Sequence, residues 1–377
     1  MHKTRYFSAP GRVEIGGNHT DHQHGRVLAA AINLETVAAV KPNDQNIVRW
    51  KQSEVDLTSL NPVPEERGTT AALIRGVAAW FVNNGLSIGG FDSELWSNIP
   101  IGAGLSSSAA FEVVTGNVFK GLYNENAGIT PTDIARAGQF AENEYFGKPS
   151  GLMDQMASSF GGLNVIDFEN PDNPVVTPVE ADLIGYSICV VNAGGSHADL
   201  TLDYAGAPEE MRKVAAHFGC NYLRELSPDM FFDSIRDLRY LGDRAILRAI
   251  HFFRENSRVL KQAGALAKGN TREFLSLVND SGNSSIAYLQ NAYSPAAVQE
   301  QGVTIALALS EKVLKGQGAW RVHGGGFAGT ILAFVPDELI VEYRNRMNTV
   351  FGESCCYFLS ISNQGGGEGR KSGRITV

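Results

Sequence analysis

"GAGLSSSAA" (Gly102–Ala110) sets two glycines and three consecutive serines between an apolar stretch ending at Ile101 and a helically spaced one beginning at Phe111. Glycine lets the backbone approach a ligand closely, the first turn of a helix offers unpaired N–H groups, and the helix dipole favours an anion there. The stretch therefore reads as a phosphate cradle, with the Ser108 hydroxyl in reach of a magnesium ion carried by nucleotide phosphates. It is neither GxxxxGK[ST] nor GxGxxG, because no lysine follows and Ser107 stands where the last glycine would be. A serine-capped helix start is the competing reading.

Upstream, "GRVEIGGNHTDHQHG" (Gly11–Gly25) packs Arg12, Asn18, His19 and Asp21 around two adjacent glycines, and a strand-like run follows. Polar groups at this density are costly to bury unpaired. They suit a polyhydroxylated ligand that needs donors and acceptors, with an arginine beside it to neutralise a phosphoryl group. A solvated loop is the alternative, above all for Glu14, His22 and His24. Downstream, "AENEYFGKPSGLMDQMASSFGG" (Ala141–Gly162) places Glu142 twelve residues before Asp154, with the helix-breaking "GKPSG" between them. One carboxylate can meet a cation and the other a substrate. Asp154 sits in an apolar "GLMDQM" setting that fits a buried cap or a catalytic base.

The composition sets limits. At 377 residues, 43% hydrophobic and 19% charged, the chain has apolar material for two cores. A net charge of -8 argues against nucleic acid or an anionic membrane as partner. "MHKTRYFSAPGR" has no apolar leader and no long apolar run follows, so a cytoplasmic protein is expected. Cys189, Cys220, Cys355 and Cys356 show neither CxxC spacing nor a disulfide framework. His19, His22 and His24 lack the cysteines or the HExxH pattern of a zinc site.

Strand-like runs cover Val27–Pro42, Phe91–Ile99, Leu163–Phe168 and Tyr186–Ala193, with helical patterns over Ala71–Gly85, Ala109–Glu125 and Asp243–Gly269. Strands return in Ala319–Val335 and Glu353–Ile361. The proline-rich Glu169–Leu183 marks a boundary between domains over residues 1–182 and 183–362, and the glycine-rich 363–377 is expected as a flexible tail.

Together the three stretches resemble the three-motif pattern of the GHMP sugar and isoprenoid kinases, and within that family most closely the galactokinases. "GRVEIGGNHTD", "PIGAGLSSSA" and "HGGGFAGTILAFV" follow the family's order and spacing, and "AENEYFGKPSGLMDQ" is similar to the segment that carries its catalytic aspartate. The resemblance runs from about Ser8 to Val335. It implies an α+β, two-domain fold: an N-terminal α/β domain with a left-handed βαβ element, ribosomal protein S5 domain 2-like, and a C-terminal ferredoxin-like α+β domain. It also implies transfer of the γ-phosphoryl of ATP to the anomeric O1 of galactose with Mg2+. The partners implied are a small-molecule sugar and ATP, and a monomer is favoured.

Carried onto this chain, the resemblance makes Asp154 the base facing the anomeric hydroxyl and Arg12 the group that orients it and stabilises the moving phosphoryl. Ser108 and Glu142 would hold magnesium, while Gly102, Ala103, Gly104, Leu105, Ser106, Ser107 and Ser108 cradle the ATP phosphates. Asn18, His19, Asp21, Gly151 and Tyr204 would line the sugar pocket, Tyr204 lying in "SHADLTLDYAGAPEEMRK". The loop His323–Gly329 would support the site from the second domain. Two positions depart from the pattern. Asn18 replaces the family's glutamate that faces the C6 hydroxyl, and Thr70 and Leu73 stand where aromatic side chains often flank adenine. The first departure keeps a galacturonate 1-kinase as the alternative, since "GNHTDHQ" also resembles plant galacturonate kinases. A non-catalytic sugar sensor is a third reading, which loss of the base or of the nucleotide loop would mark.

Overall fold

Buried apolar strands alternate with amphipathic helices along the chain, and the structure, a computed structural model, describes residues 3–50, 53–148, 150–181, 183–194, 201–327 and 329–369. The first sheet uses β1 (Arg5–Gly16), β2 (Arg26–Pro42), β3 (Ile47–Trp50), β4 (Ser53–Asp56), β5 (Phe91–Ser97), β6 (Leu163–Asp167) and β7 (Val175–Pro178). The second uses β8 (Tyr186–Asn192), β9 (Ala319–Val322), β10 (Thr330–Pro336) and β11 (Cys356–Leu359). A last short strand, β12 (Gly367–Gly369), returns to the first sheet, whose order is β12-β1-β2-β5-β3-β4.

β2 is the spine of this sheet. Its first half pairs with β6 and its second half with β5, while β1 lies antiparallel along its other edge. β3 and β5 run parallel, joined through β4 and the helix α1 (Thr70–Asn83), because a parallel pair needs a crossover. Three further helices, α2 (Ser107–Tyr123), α3 (Pro131–Phe140) and α4 (Met153–Phe160), pack together, and α2 and α4 also lie against β1 and β2. The second sheet is antiparallel, in the order β11-β8-β10-β9. Helices connect β8 to β9, including α5 (Thr201–His217), and the helix Ile340–Phe351 connects β10 to β11; this is the ferredoxin-like arrangement.

One apolar cluster runs through both halves. It joins Val13, Leu28 and Val40 of the first sheet to Val113 and Phe119 of α2, Val259 of the long helix Asp243–Ala267, and Val190, Leu332 and Phe334 of the second sheet. The switch from one sheet to the other falls between β7 and β8, on either side of Asp182, which lies outside the described residues.

Two regions differ from the sequence expectation. The polar motif that begins at Gly11 is not all loop, because β1 runs to Gly16 and carries Arg12 and Glu14. Phe7, Ala9, Val13 and Ile15 face the core while Arg12 and Glu14 are buried as well, so the usual polar-outward alternation of a strand is missing. The glycine-rich tail is also partly built in, since β12 pairs with Tyr6–Ser8 of β1. Glycine is required on the way there: a Cβ on Gly365 would lie 2.2 Å from the Ser159 carbonyl oxygen, and one on Gly366 would lie 2.3 Å from Val113 Cγ1. Residues 370–377 of the expected tail lie outside the described residues.

Candidate active site

Arg12 and Asp154 meet where β1 passes the start of α4. Register shifts at Pro10/Arg12 and Glu14/Gly16 break the regular pairing of β1 with β2, a device that re-aims side chains. Arg12, 6% exposed, clasps Asp154 in a two-pronged bond, Nε to Oδ1 at 2.7 Å and Nη2 to Oδ2 at 2.8 Å. Its third nitrogen donates to the Gly104 carbonyl at 2.5 Å, which locks the pair to the glycine-rich loop. The Ser106 hydroxyl also donates to Asp154 Oδ2. Burial alone would raise the Asp154 carboxyl, but the Arg12 charge, the Arg12 bonds and the Ser106 bond outweigh it and hold the group below the usual carboxylate range. Asp154 is thus an ionised acceptor.

The loop that Arg12 grips is built on left-handed backbone. Gly102 and Gly104 have φ of +75° and +70°, and Ser106 has φ of +59°. A Cβ on Gly104 would lie 2.6 Å from Thr330 Oγ1, so β10 of the second sheet seats directly on the loop. Ala103 and Leu105 are buried, and the Leu105 carbonyl accepts from Arg12 N–H at 3.2 Å. Ser106 stands at the N-cap of α2 yet does not cap it, since its hydroxyl is turned to Asp154. The first N–H groups of α2, from Ser107 onward, therefore keep the anion-binding character of a bare helix start.

Ser108, one residue into α2, donates to Glu142 Oε1 at 3.4 Å. Glu142 is 3% exposed and sits in the π-helical turn Ala141–Phe146 that follows α3. Its inner oxygen Oε2 accepts from Gln155 Nε2 at 3.0 Å, and the same nitrogen reaches Glu112 Oε2 at 2.9 Å. Burial and the neighbouring Glu142 charge push the Glu112 carboxyl well above its ordinary range. The outer oxygen Oε1 also meets the Lys148 ammonium at 2.9 Å. A hydroxyl and a carboxylate are hard oxygen donors, and a cation already rests on the carboxylate. Ser108 and Glu142 thus fit a magnesium ion.

The expected sugar residues divide into two layers. Asp21 and Gly151 touch so closely that a Cβ on Gly151 would lie 1.9 Å from Asp21 Oδ2. Desolvation and the nearby Glu14 carboxylate raise Asp21 to about 6. His19 and Tyr204 are tied to the glycine loop between β9 and β10, His19 Nε2 to the Gly325 carbonyl at 2.9 Å and the Tyr204 hydroxyl to the Gly326 carbonyl at 3.1 Å. Burial lowers His19 to about 4, so its ring is neutral near pH 7. Asn18 stands apart from these. Its side chain is wholly buried, and its amide bonds Glu14, the Gly324 carbonyl, Ser285 and Asn291, using each donor and acceptor position inside the protein. The glycines of this loop are needed for packing, since a Cβ on Gly325 would fall 2.3 Å from Tyr204 Cε1. Residues 195–200, which open the Tyr204 stretch, and Ala328 lie outside the described residues. Of the positions where aromatic side chains were sought, Leu73 is part of the core and Thr70 opens α1.

Several groups that hold this site were not singled out by motif. His251 Nε2 meets the Asn18 carbonyl at 2.9 Å, Glu255 accepts from Gly17 N–H at 3.0 Å, and Asn256 accepts from Arg26 N–H at 2.8 Å. All three lie on the long helix, where "HFFRENS" reads as ordinary amphipathic sequence. Arg321 bonds Glu14 at 2.6 Å, a fully buried link between the two sheets. A visible signal was the charge of Arg321 within the otherwise apolar "AWRV".

The residues of the glycine loop, of the Arg12–Asp154 clasp and of the Asp21–Gly151 contact fall within the spans of two family profiles: the GHMP kinases N terminal domain over residues 72–162, and the galactokinase galactose-binding signature over residues 2–42. The chain thus carries a GHMP kinase N-terminal domain and a galactokinase galactose-binding signature. Among solved structures, Lactococcus lactis galactokinase complexed with galactose is 27% identical, covers 97% of this chain and 95% of its own, and superposes with a TM-score of 0.82. Methanococcus jannaschii mevalonate kinase (15% identity, 96% and 98% covered, TM-score 0.66) and a D-glycero-D-manno-heptose 1-phosphate kinase from Bacteriodes thetaiotaomicron (17%, 97% and 99%, 0.63) share the fold. Among the described residues, no helix is long and apolar enough to cross a membrane.

Proposed function

We propose that this protein is a GHMP kinase that transfers the γ-phosphoryl group of ATP to O1 of galactose, giving galactose 1-phosphate. The observation that carries the reading is the Arg12–Asp154 clasp, joined on one side to the Gly104 carbonyl of the phosphate loop and lying on the other near the Asp21 carboxylate. Asp154 accepts the proton of the anomeric hydroxyl and orients its oxygen. Arg12 stays charged and neutralises the phosphoryl oxygens as they pass, and the open N–H groups of α2 hold the phosphates. Positioning and electrostatics therefore supply most of the acceleration. Magnesium, held by Ser108 and Glu142, neutralises phosphate charge when bound. A cytoplasmic location fits a reaction that draws on ATP.

Galactose is favoured over galacturonate by the charge around the sugar residues. Asp21 is raised in part by Glu14 and Asp154, which means that the pocket already crowds negative charge and would repel a C6 carboxylate. With the Asn18 amide fully engaged inside the protein, its part is to shape the pocket from behind through Gly324 and Asn291. The sensor reading is disfavoured because acceptor, arginine and nucleotide loop stand together. ADP release with galactose, galacturonate, arabinose and N-acetylgalactosamine, and 31P NMR of the product, test the proposal. Failure of galactose to turn over, or phosphate on an oxygen other than O1, would refute it.

A further inference from the structure

We propose that Lys148 is a tethered counter-ion of the cation seat, neutralising Glu142 while no divalent cation is bound and yielding to one when it arrives. The proposal rests on the kinase reading only for the identity of that seat. Glu142 is 3% exposed, and a buried carboxylate needs a partner charge. Its inner oxygen is occupied by Gln155, so a cation must come to Oε1, where the Ser108 hydroxyl stands at 3.4 Å and the Lys148 ammonium at 2.9 Å. Lysine and a divalent ion thus compete for one oxygen.

The tether is local. Gly147 turns the chain with φ of +83°, and Lys148 N–H then donates to the Glu142 carbonyl at 3.1 Å, so backbone and side chain of Lys148 both fold back onto Glu142. Such a short link supplies the ammonium at high effective concentration. The Lys148 side chain is 59% exposed, which lets it swing away without opening a void. Its charge is felt at Asp154 and at Tyr204, so the ammonium sits on the side of the seat that faces the proposed phosphoryl acceptor. The free protein is then a poor ligand for bare metal, and the cation enters with the nucleotide, whose phosphates receive the displaced ammonium.

Mn2+ alone, titrated into the nucleotide-free protein at pH 8 and low salt and followed by the EPR signal of free Mn2+, tests this. Lys148→Met is expected to bind Mn2+ about tenfold more tightly than wild type, Lys148→Arg to stay near wild type, and Lys148→Met combined with Glu142→Gln to lose the gain. Thermal unfolding checks that each variant is folded. Equal or weaker Mn2+ binding by folded Lys148→Met overturns the proposal, as does a gain that survives Glu142→Gln. The two readings fail separately: normal ADP release with unchanged Mn2+ affinity sinks the counter-ion alone, whereas the tenfold gain without ADP release sinks the kinase alone.

Discussion

Asp154→Asn is nearly isosteric and removes a single negative charge. The charge faces Arg12 at 2.7 and 2.8 Å, and the Asp154 side chain is 29% exposed, so an effective dielectric of about 20 applies rather than that of a dry interior. Charge centres about 4 Å apart then attract by about 4 kcal/mol, of which desolvation cancels a large part. The amide oxygen still accepts one bond from Arg12, which leaves an expected stability loss of about 1–2 kcal/mol. The catalytic loss is larger. Without a carboxylate nothing takes the proton of the attacking hydroxyl, and such groups contribute about 10²-fold or more, equivalent to ~2.7 kcal/mol or more of barrier. Because Asp154 is held below the usual carboxylate range, wild-type kcat should show no acid limb from this group near neutral pH. The assay is coupled ADP release at saturating ATP and galactose, with rapid-quench single turnovers to establish that chemistry limits the rate. A folded Asp154→Asn enzyme with kcat within about threefold of wild type, chemistry being rate-limiting, would refute the role.

Three more residues carry expected outcomes. Asp21 is raised to about 6, so as pH falls through that value it gains a proton, stops accepting from sugar hydroxyls, and the galactose KM rises; Asp21→Asn should give a high KM with no such pH dependence. A raised carboxylate costs folding free energy once ionised, so Asp21→Asn should also melt higher than wild type at pH 7.5, and a lower melting temperature would contradict this assignment. Glu255 is held down to about 2 despite full burial, so its stabilisation is complete above the ordinary glutamate range and is lost as pH falls toward 2. Glu255→Gln should cost about 3 kcal/mol in denaturant unfolding at pH 7, by a gap that narrows in acid; a gap independent of pH would count against the charge account. Asn18→Glu would set a second carboxylate within bonding distance of Glu14, and so should lower the melting temperature while leaving the galactose-to-galacturonate ratio within about twofold. A shift of that ratio in a fully stable variant would put position 18 on the pocket wall after all.

The sequence by itself determined the elements that carry their signal locally. β2, β5, β6 and β8 and the helices α1, α2 and Asp243–Ala267 lie within a residue or two of where their periodicity puts them, because that pattern is set by which face each element buries. The turn Gly102–Ser106 that opens α2 was legible for the same reason: its glycines and serines act through their own backbone and through the helix they begin. Only the tertiary structure decided how distant groups satisfy one another. It turned Ser106 from helix cap to Asp154 partner, consumed the Asn18 amide in bonds to residues 285, 291 and 324, and set Lys148 on Glu142. Those pairings depend on which buried donor finds which buried acceptor once two sheets close on each other, and desolvation penalises each one left over. β1 shows the same limit from the other side. A strand covered on both faces loses the alternation that would announce it, so the strand character of Arg12 and Glu14 showed only once Asp154 and the Gly104 carbonyl met the one and Arg321 of the second sheet met the other.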